Sequence, residues 1–158
     1  MSPVMDDINT PRELEAIKQL KARYCRILDA KDWRAWRDLF TDDFVSDTTS
    51  SGGKRIEGAD AFVAFVSRIL TPSRTTVHHV HAPEVSLTSA STANGIWAME
   101  DLVRLFPFIS LRGYGHYHET YEKIDGIWRI KSSDLSRLRM DLLTPFFSVR
   151  LPAGRRHA

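Results

Sequence analysis

The chain predicts an α+β fold: three helices come first, and a curved, mainly antiparallel sheet follows and packs on them. Three observations carry that expectation. Apolar residues recur at helical spacing only before Pro72. From Thr75 to Arg139 the chain is rich in β-branched and aromatic residues, and turn signals divide it into four long runs. Helices followed by strands, without alternation, exclude a doubly wound α/β arrangement. At 158 residues one domain is expected, and a chain of that size buries about 70% of its unfolded surface. A curved sheet with helices on its concave side can enclose a pocket.

The first helix opens at Thr10-Pro11-Arg12-Glu13, with a Thr cap, a first-turn Pro and an acid three residues after the cap. Leu14, Ile17, Leu20, Tyr24, Ile27 and Leu28 then form its apolar stripe. A short second helix is expected over Asp32–Phe40, with Trp33, Trp36, Leu39 and Phe40 as its apolar content. Ser51-Gly52-Gly53 turns between short strands at Phe44–Thr48 and Lys54–Glu57. Gly58-Ala59-Asp60 leads into a third helix carrying Phe62, Phe65, Val66, Ile69 and Leu70, and Pro72 stops it. The long strands are expected at Thr75–Leu87, Thr92–Phe106, Leu111–Ile124 and Gly126–Arg139, the last two joined through the hairpin dipeptide Asp125-Gly126. Residues 1–10 read as a flexible N-terminus, 11–141 as the domain, and 142–158 as an apolar segment with a basic tail at Arg155-Arg156-His157. Leu142–Leu151, with Pro145, Phe146, Phe147 and Val149, is too apolar to lie free and must cover a pocket, a sheet or a neighbour.

Composition removes several classes of function. The formal net charge is +2 and the basic residues are dispersed among acids, which leaves no nucleic-acid footprint. Cys25 is the only cysteine, so no internal disulfide forms, and its place in an amphipathic helix reads as a small buried hydrophobe. The first residues carry two acids and no apolar h-region, and no apolar run reaches the ~18 residues of a membrane span. A cytoplasmic location is expected. Nucleophile elbow, Walker loop, dinucleotide fingerprint and HExxH are all absent from the sequence. Acid–base chemistry by Tyr, His and Asp, with no cofactor, is what remains.

Alternation along Thr92–Phe106 puts Ala93, Gly95, Trp97, Met99, Asp101, Val103 and Leu105 on one face, with Asp101 its lone charge. A carboxylate on such a face must be paired or neutralised, so Asp101 is either half of a structural ion pair or a functional group. Val77-His78-His79-Val80-His81 places His78 on one face and His79 and His81 on the other, and alternation alone leaves open which face is inner. His116 and His118 share a face of their own strand. Two same-face histidines without a third ligand or a nearby cysteine do not compose a zinc set, so no metal is expected. Tyr24 on the helical stripe is a core tyrosine or a pocket residue. Asp29 lies five residues later, about 500° around an ideal helix. It sits where the helix dipole disfavours an anion. Arg137 and Arg139 close the last long strand.

Taken in order, Tyr24-x4-Asp29, Val77-His78-His79-x-His81-x-Pro83-Glu84, Thr92-Ala93-x-Gly95-x-Trp97-x3-Asp101 and Tyr121-Glu122-x-Ile124-Asp125-Gly126-x-Trp128 resemble the SnoaL-like members of the nuclear transport factor 2-like (NTF2-like) superfamily. The pattern is most similar to bile acid 7α-dehydratase, and more distantly to scytalone dehydratase and hexachlorocyclohexane dehydrochlorinase. The resemblance implies a cone-shaped α+β barrel and a cofactor-free, dehydratase-like elimination on a hydrophobic, polycyclic or steroid-like carbonyl compound. It also implies a homo-oligomer, a trimer first and a dimer next. Carried over by position, it makes Tyr24 the pocket tyrosine, Asp29 the helix-end aspartate, His78 the general base, Asp101 the strand aspartate and Arg137 the late arginine, with Arg139 as the other candidate. His79, His81, His116 and His118 receive no role. The same superfamily also hosts ketosteroid-type isomerases and non-catalytic small-molecule binders, so the fold does not choose among these.

Overall fold

A computed structural model describes residues 10–152. Most of the expected N-terminal segment and the Arg155-Arg156-His157 tail lie outside the described residues. Helix α1 (Thr10–Ala30) buries Ile17, Leu20, Lys21, Tyr24, Cys25 and Leu28. This is an i, i+3, i+4, i+7 stripe that contains one charge. Its first turn is tied to the far end of the sheet, where Glu13 accepts from Lys123 Nζ at 2.8 Å and from Trp128 Nε1 at 2.6 Å. Its last turn closes as a Schellman motif: Asp32 N–H donates to Ile27 O, and Lys31 N–H to Leu28 O. Lys31 holds φ +60°, where glycine is usual.

Helix α2 (Trp33–Arg37) is shorter than the expected Asp32–Phe40. Asp32 caps it through the Ala35 N–H at 3.1 Å, but Phe40 belongs to strand β1 (Phe40–Asp47). Tertiary burial is the reason. Phe40 is wholly buried, with ring centroids 5.0 Å from Trp36, 4.5 Å from Phe44 and 5.6 Å from Phe62. A helical continuation would carry it off this cluster. A single turn, η1 (Thr49–Ser51), precedes β2 (Arg55–Glu57), and α3 (Ala59–Ile69) follows.

The long strands are β3 (Thr76–Leu87), β4 (Thr92–Phe106), β5 (Ile109–Ile124) and β6 (Ile127–Leu143), with β7 (Ser148–Leu151) last. They form one sheet in the order β2-β1-β6-β5-β4-β3, with β7 on β6, and only the β1–β6 pairing is parallel. Asp125 (φ +52°) and Gly126 (φ +79°) make the tight turn between β5 and β6. The strand β6 runs through the expected boundary at 141–142, and the apolar segment beyond it folds back as an additional strand on the sheet. In β4 the odd positions Ala93, Gly95, Trp97, Met99 and Asp101 are buried, so the face predicted to be interior is interior. The helices pack on this face. Among the described residues no helix is long and apolar enough to cross a membrane.

Candidate active site

The end of α1 and the start of β3 meet at a carboxylate–imidazole pair. Asp29 Oδ1 lies 2.7 Å from His78 Nδ1, and Asp29 Oδ2 accepts the His78 backbone N–H at 2.8 Å. Thr76 donates its hydroxyl to Asp29 Oδ1 at 2.9 Å, and Lys31 Nζ donates to that hydroxyl at 2.6 Å. Burial alone would raise the Asp29 pKa. The bonds from the His78 ring and backbone, and from Thr76, outweigh burial and hold the carboxyl below its usual range. They also offset the cost of an anion at a helix C-terminus. The His78 side chain is 8% exposed, and its Nε2 has no protein partner among the described residues. A cavity of about 490 Å³ adjoins it, lined by Lys18, Ala22 and Cys25 of α1 and by His78, His79, Val80, His81, Trp97 and Glu100 of the sheet. Tyr24, Asp101 and Arg137 do not line that cavity. The Cys25 thiol is pushed up to about 11 by burial, so it is a protonated wall residue, as its helical position suggested.

Asp101 stands directly opposite His78 across the β3–β4 ladder, yet it is not the partner of the imidazole. Arg137 holds it in a two-pronged ion pair, Nη1 to Oδ1 at 2.9 Å and Nη2 to Oδ2 at 2.7 Å. Asp29, not Asp101, therefore serves the ring nitrogen, and Asp101 is half of an ion pair. The Arg137 pKa is raised because these bonds overcome the burial that would lower it. A bulge decides between the two late arginines. Gly115 pairs with Arg137 and Tyr114 with Arg139, which leaves Leu138 without a partner and reverses the alternation. Arg139 is thereby turned outward onto Asp141. Gly113 makes the room: an added Cβ would lie 1.9 Å from Arg137 Nη1 and 2.3 Å from Asp101 Oδ1.

Tyr24 is buried beside Tyr117, edge-on at 6.1 Å between centroids. Burial, then Tyr117 and Glu119, raise its pKa well above the ordinary phenol value, so it keeps its proton. Behind these rings lies a buried ion pair, Lys21 Nζ to Glu119 Oε1 at 2.5 Å, with both side chains fully enclosed. The ammonium sits 4.0 Å from the Tyr24 ring centroid and 3.8 Å from that of Tyr117. Glu119 also accepts from Tyr121 Oη at 2.5 Å and Ser133 Oγ at 3.2 Å, and Trp97 Nε1 donates to Tyr121 Oη at 2.7 Å. Both oxygens of the Glu119 carboxylate are thereby engaged, as a buried charge requires.

Of the other histidines, His79 and His81 edge the same cavity, whereas His116 and His118 lie apart from it. His79 and His81 are exposed on the outer face of β3, and His116 and His118 lie on the outer face of β5. A groove of about 550 Å³ on that outer side, lined by Glu84, Ser86, Asn94, Ile96, His118 and Thr120 among others, is larger than the cavity at His78. It holds no coupled acid–base pair, so size does not make it the site. Among the described residues no three His, Cys, Asp or Glu side chains are grouped to hold a metal ion.

The SnoaL-like domain family matches residues 11–134. The chain belongs to this family. The SnoaL-like chain is also similar in sequence to the probable cyclase FGR4 of Gibberella zeae, 24% identical over 147 residues that span 85% of this chain and 97% of that protein. Its fold matches a scytalone dehydratase-like protein from Novosphingobium aromaticivorans, with TM-score 0.79 and 24% identity over 95% of each chain. It also matches the hexachlorocyclohexane dehydrochlorinase LinA-type3 of Novosphingobium barchaimii, with TM-score 0.75 and 17% identity over 97% of this chain and 99% of that one. Three helices on a curved, mostly antiparallel sheet are thus the NTF2-like architecture.

In this SnoaL-like domain, sequence reasoning passed over Lys21, Thr76, Gly113, Tyr117 and Glu119. Two carried a readable signal. Lys21 interrupts the apolar stripe between Leu20 and Tyr24, and Glu119 shares strand parity with Tyr117 and Tyr121. A charge at a position whose neighbours are all core marks a buried pair. Thr76 and Gly113 carried none, because their importance arises from residues far away in sequence.

Proposed function

We propose that this SnoaL-like domain is a cofactor-independent lyase that eliminates water from a hydrophobic, polycyclic or steroid-like hydroxylated carbonyl compound. The observation that carries this reading is the 2.7 Å contact of Asp29 Oδ1 with His78 Nδ1, beside a cavity and with Nε2 unengaged. With Nδ1–H donating to the carboxylate, the lone pair is on Nε2, where it takes a proton from the carbon next to the carbonyl or its vinylogue. The electron pair of that C–H bond moves into the enolate, and Asp29 stabilises the imidazolium formed. Collapse of the enolate forms the C=C bond and expels the hydroxyl group. Asp101 has both oxygens engaged by Arg137 and does not line the cavity, so it is not the proton donor. The imidazolium returns its proton to the departing hydroxyl, so water leaves and His78 is neutral again.

Mass spectrometry of products from a panel of hydroxylated steroid and polycyclic enones tests the reading. A loss of one water is expected with the intact protein. His78→Ala lowers turnover by about 10²–10⁴, while His116→Ala, on the outer face of β5 and away from the cavity, leaves it unchanged. Equal damage from both variants, or none from either, overturns the assignment.

A further inference from the structure

Lys31 stands in a conformation that suits glycine. Its φ of +60° caps α1, and a lysine there carries backbone strain that a glycine would not. The side chain does not run into solvent. Its ammonium reaches Thr76 Oγ1 at 2.6 Å, while the Thr76 hydroxyl, in a buried residue, bonds Asp29 Oδ1 at 2.9 Å.

The directions of these bonds are fixed by what each group can do. An ammonium only donates, so Thr76 Oγ1 accepts from Lys31. The hydroxyl has one proton, and it goes to Asp29. Asp29 Oδ1 therefore receives two donors, Thr76 Oγ1–H and His78 Nδ1–H, and Oδ2 receives the His78 backbone N–H at 2.8 Å. A carboxylate so surrounded cannot rotate without breaking three bonds, and Oδ1 has no lone pair left for a migrating proton.

We propose that Thr76 and Lys31 are positioning residues: a one-way chain of hydrogen bonds from Lys31 through Thr76 locks the Asp29 carboxylate, and through it the Nδ1–H form and orientation of the His78 ring. The proposal rests on the reading of His78 as the base, and it extends that reading to two residues that touch neither substrate nor imidazole. The strained backbone at Lys31 is retained because its ammonium ends this chain.

The test needs no substrate. In the full chain labelled with ¹⁵N-histidine, the Nδ1 proton of His78, identified by its absence in His78→Ala, gives a slowly exchanging downfield signal. Thr76→Val keeps the side-chain shape and removes both bonds, and it is expected to broaden or abolish that signal in a protein with unchanged circular dichroism. Thr76→Ser is expected to restore it. Lys31→Gly, which relieves the backbone, is expected to weaken the signal without lowering the melting temperature. A Thr76 that only fills space would leave the signal intact in the isosteric valine variant, and that result overturns the proposal while leaving the His78–Asp29 pair standing. Absence of the signal from the unaltered protein removes the pair itself, and with it the proposed base. Where turnover is measurable, Thr76→Val is expected to lower kcat, not raise KM, by about 10–100-fold, the scale carried by outer hydrogen-bond partners of ligating histidines.

Discussion

Removing the ammonium from the buried pair, by Lys21→Met, tests whether that pair holds the site together. Methionine has nearly the length of lysine, so the volume is conserved and the charge is what changes. At the 2.5 Å separation of Lys21 and Glu119, two unit charges attract by about 6–7 kcal/mol at an effective dielectric of ~20. Desolvation of two fully enclosed ions takes back most of that gain. The variant, however, loses the attraction and retains the buried Glu119, so it should lose about 3–5 kcal/mol. For a chain of this size each kcal/mol moves the melting temperature by about 2–4 °C, which predicts a fall of roughly 6–20 °C. The paired variant Lys21→Met/Glu119→Gln removes both charges and keeps one amide oxygen to accept from Tyr121 or Ser133, which bond different oxygens of Glu119, and it should recover at least half of the loss. Urea and thermal unfolding followed by circular dichroism at neutral pH measure both variants. A single variant within about 1 kcal/mol of the parent, or a double variant no better than the single, refutes the reasoning.

Further outcomes are expected on the same physical grounds. Gly113→Ala sets a Cβ 1.9 Å from Arg137 Nη1 and should cost about 1–3 kcal/mol by forcing the Asp101–Arg137 pair apart, measured by urea midpoint; a neutral substitution would mean the pair has room to move. Tyr24→Phe should leave turnover on an active enone nearly unchanged, because Tyr24 does not line the cavity at His78; a fall of about 10²–10³ would put its hydroxyl at the enolate oxygen instead. Because the Asp29 carboxyl is held below its ordinary value, its bonds stabilise the fold fully above the unfolded pKa of about 3.9, and that stability is lost as pH falls through the depressed folded value; Asp29→Asn should flatten this part of the acid-unfolding profile. Phe106, Phe108, Phe146 and Phe147 are 61%, 73%, 90% and 60% exposed on neighbouring turns, and we expect a homo-oligomer, a trimer first, to cover them; a monomer mass in light scattering would count against it.

Much of the fold was legible because it depends on local periodicity. The stripe of α1, the interior parity of β4 and the Asp125-Gly126 turn are all set by side-chain spacing or by backbone conformations that few residues tolerate. The second helix was misread for the same reason: Leu39 and Phe40 continue an apolar pattern that fits helix and strand alike, and only packing on Trp36, Phe44 and Phe62 selects the strand.

The site divides differently. The sequence by itself determined which residues are chemically unusual: an aspartate ending a helix, a lone carboxylate on an apolar strand face, a histidine flanked by others of opposite parity. Alternation is a property of one strand, so it placed His78 opposite in face to His79 and His81 without saying which side was inner. Only the tertiary structure decided that His78 meets Asp29 at 2.7 Å while Asp101 is taken by Arg137. These are choices among partners, made by how α1 crosses β3 and by a bulge at Leu138 that turns Arg137 inward and Arg139 outward. A one-residue bulge reverses every side chain beyond it, and it leaves no mark in the spacing of the residues it turns.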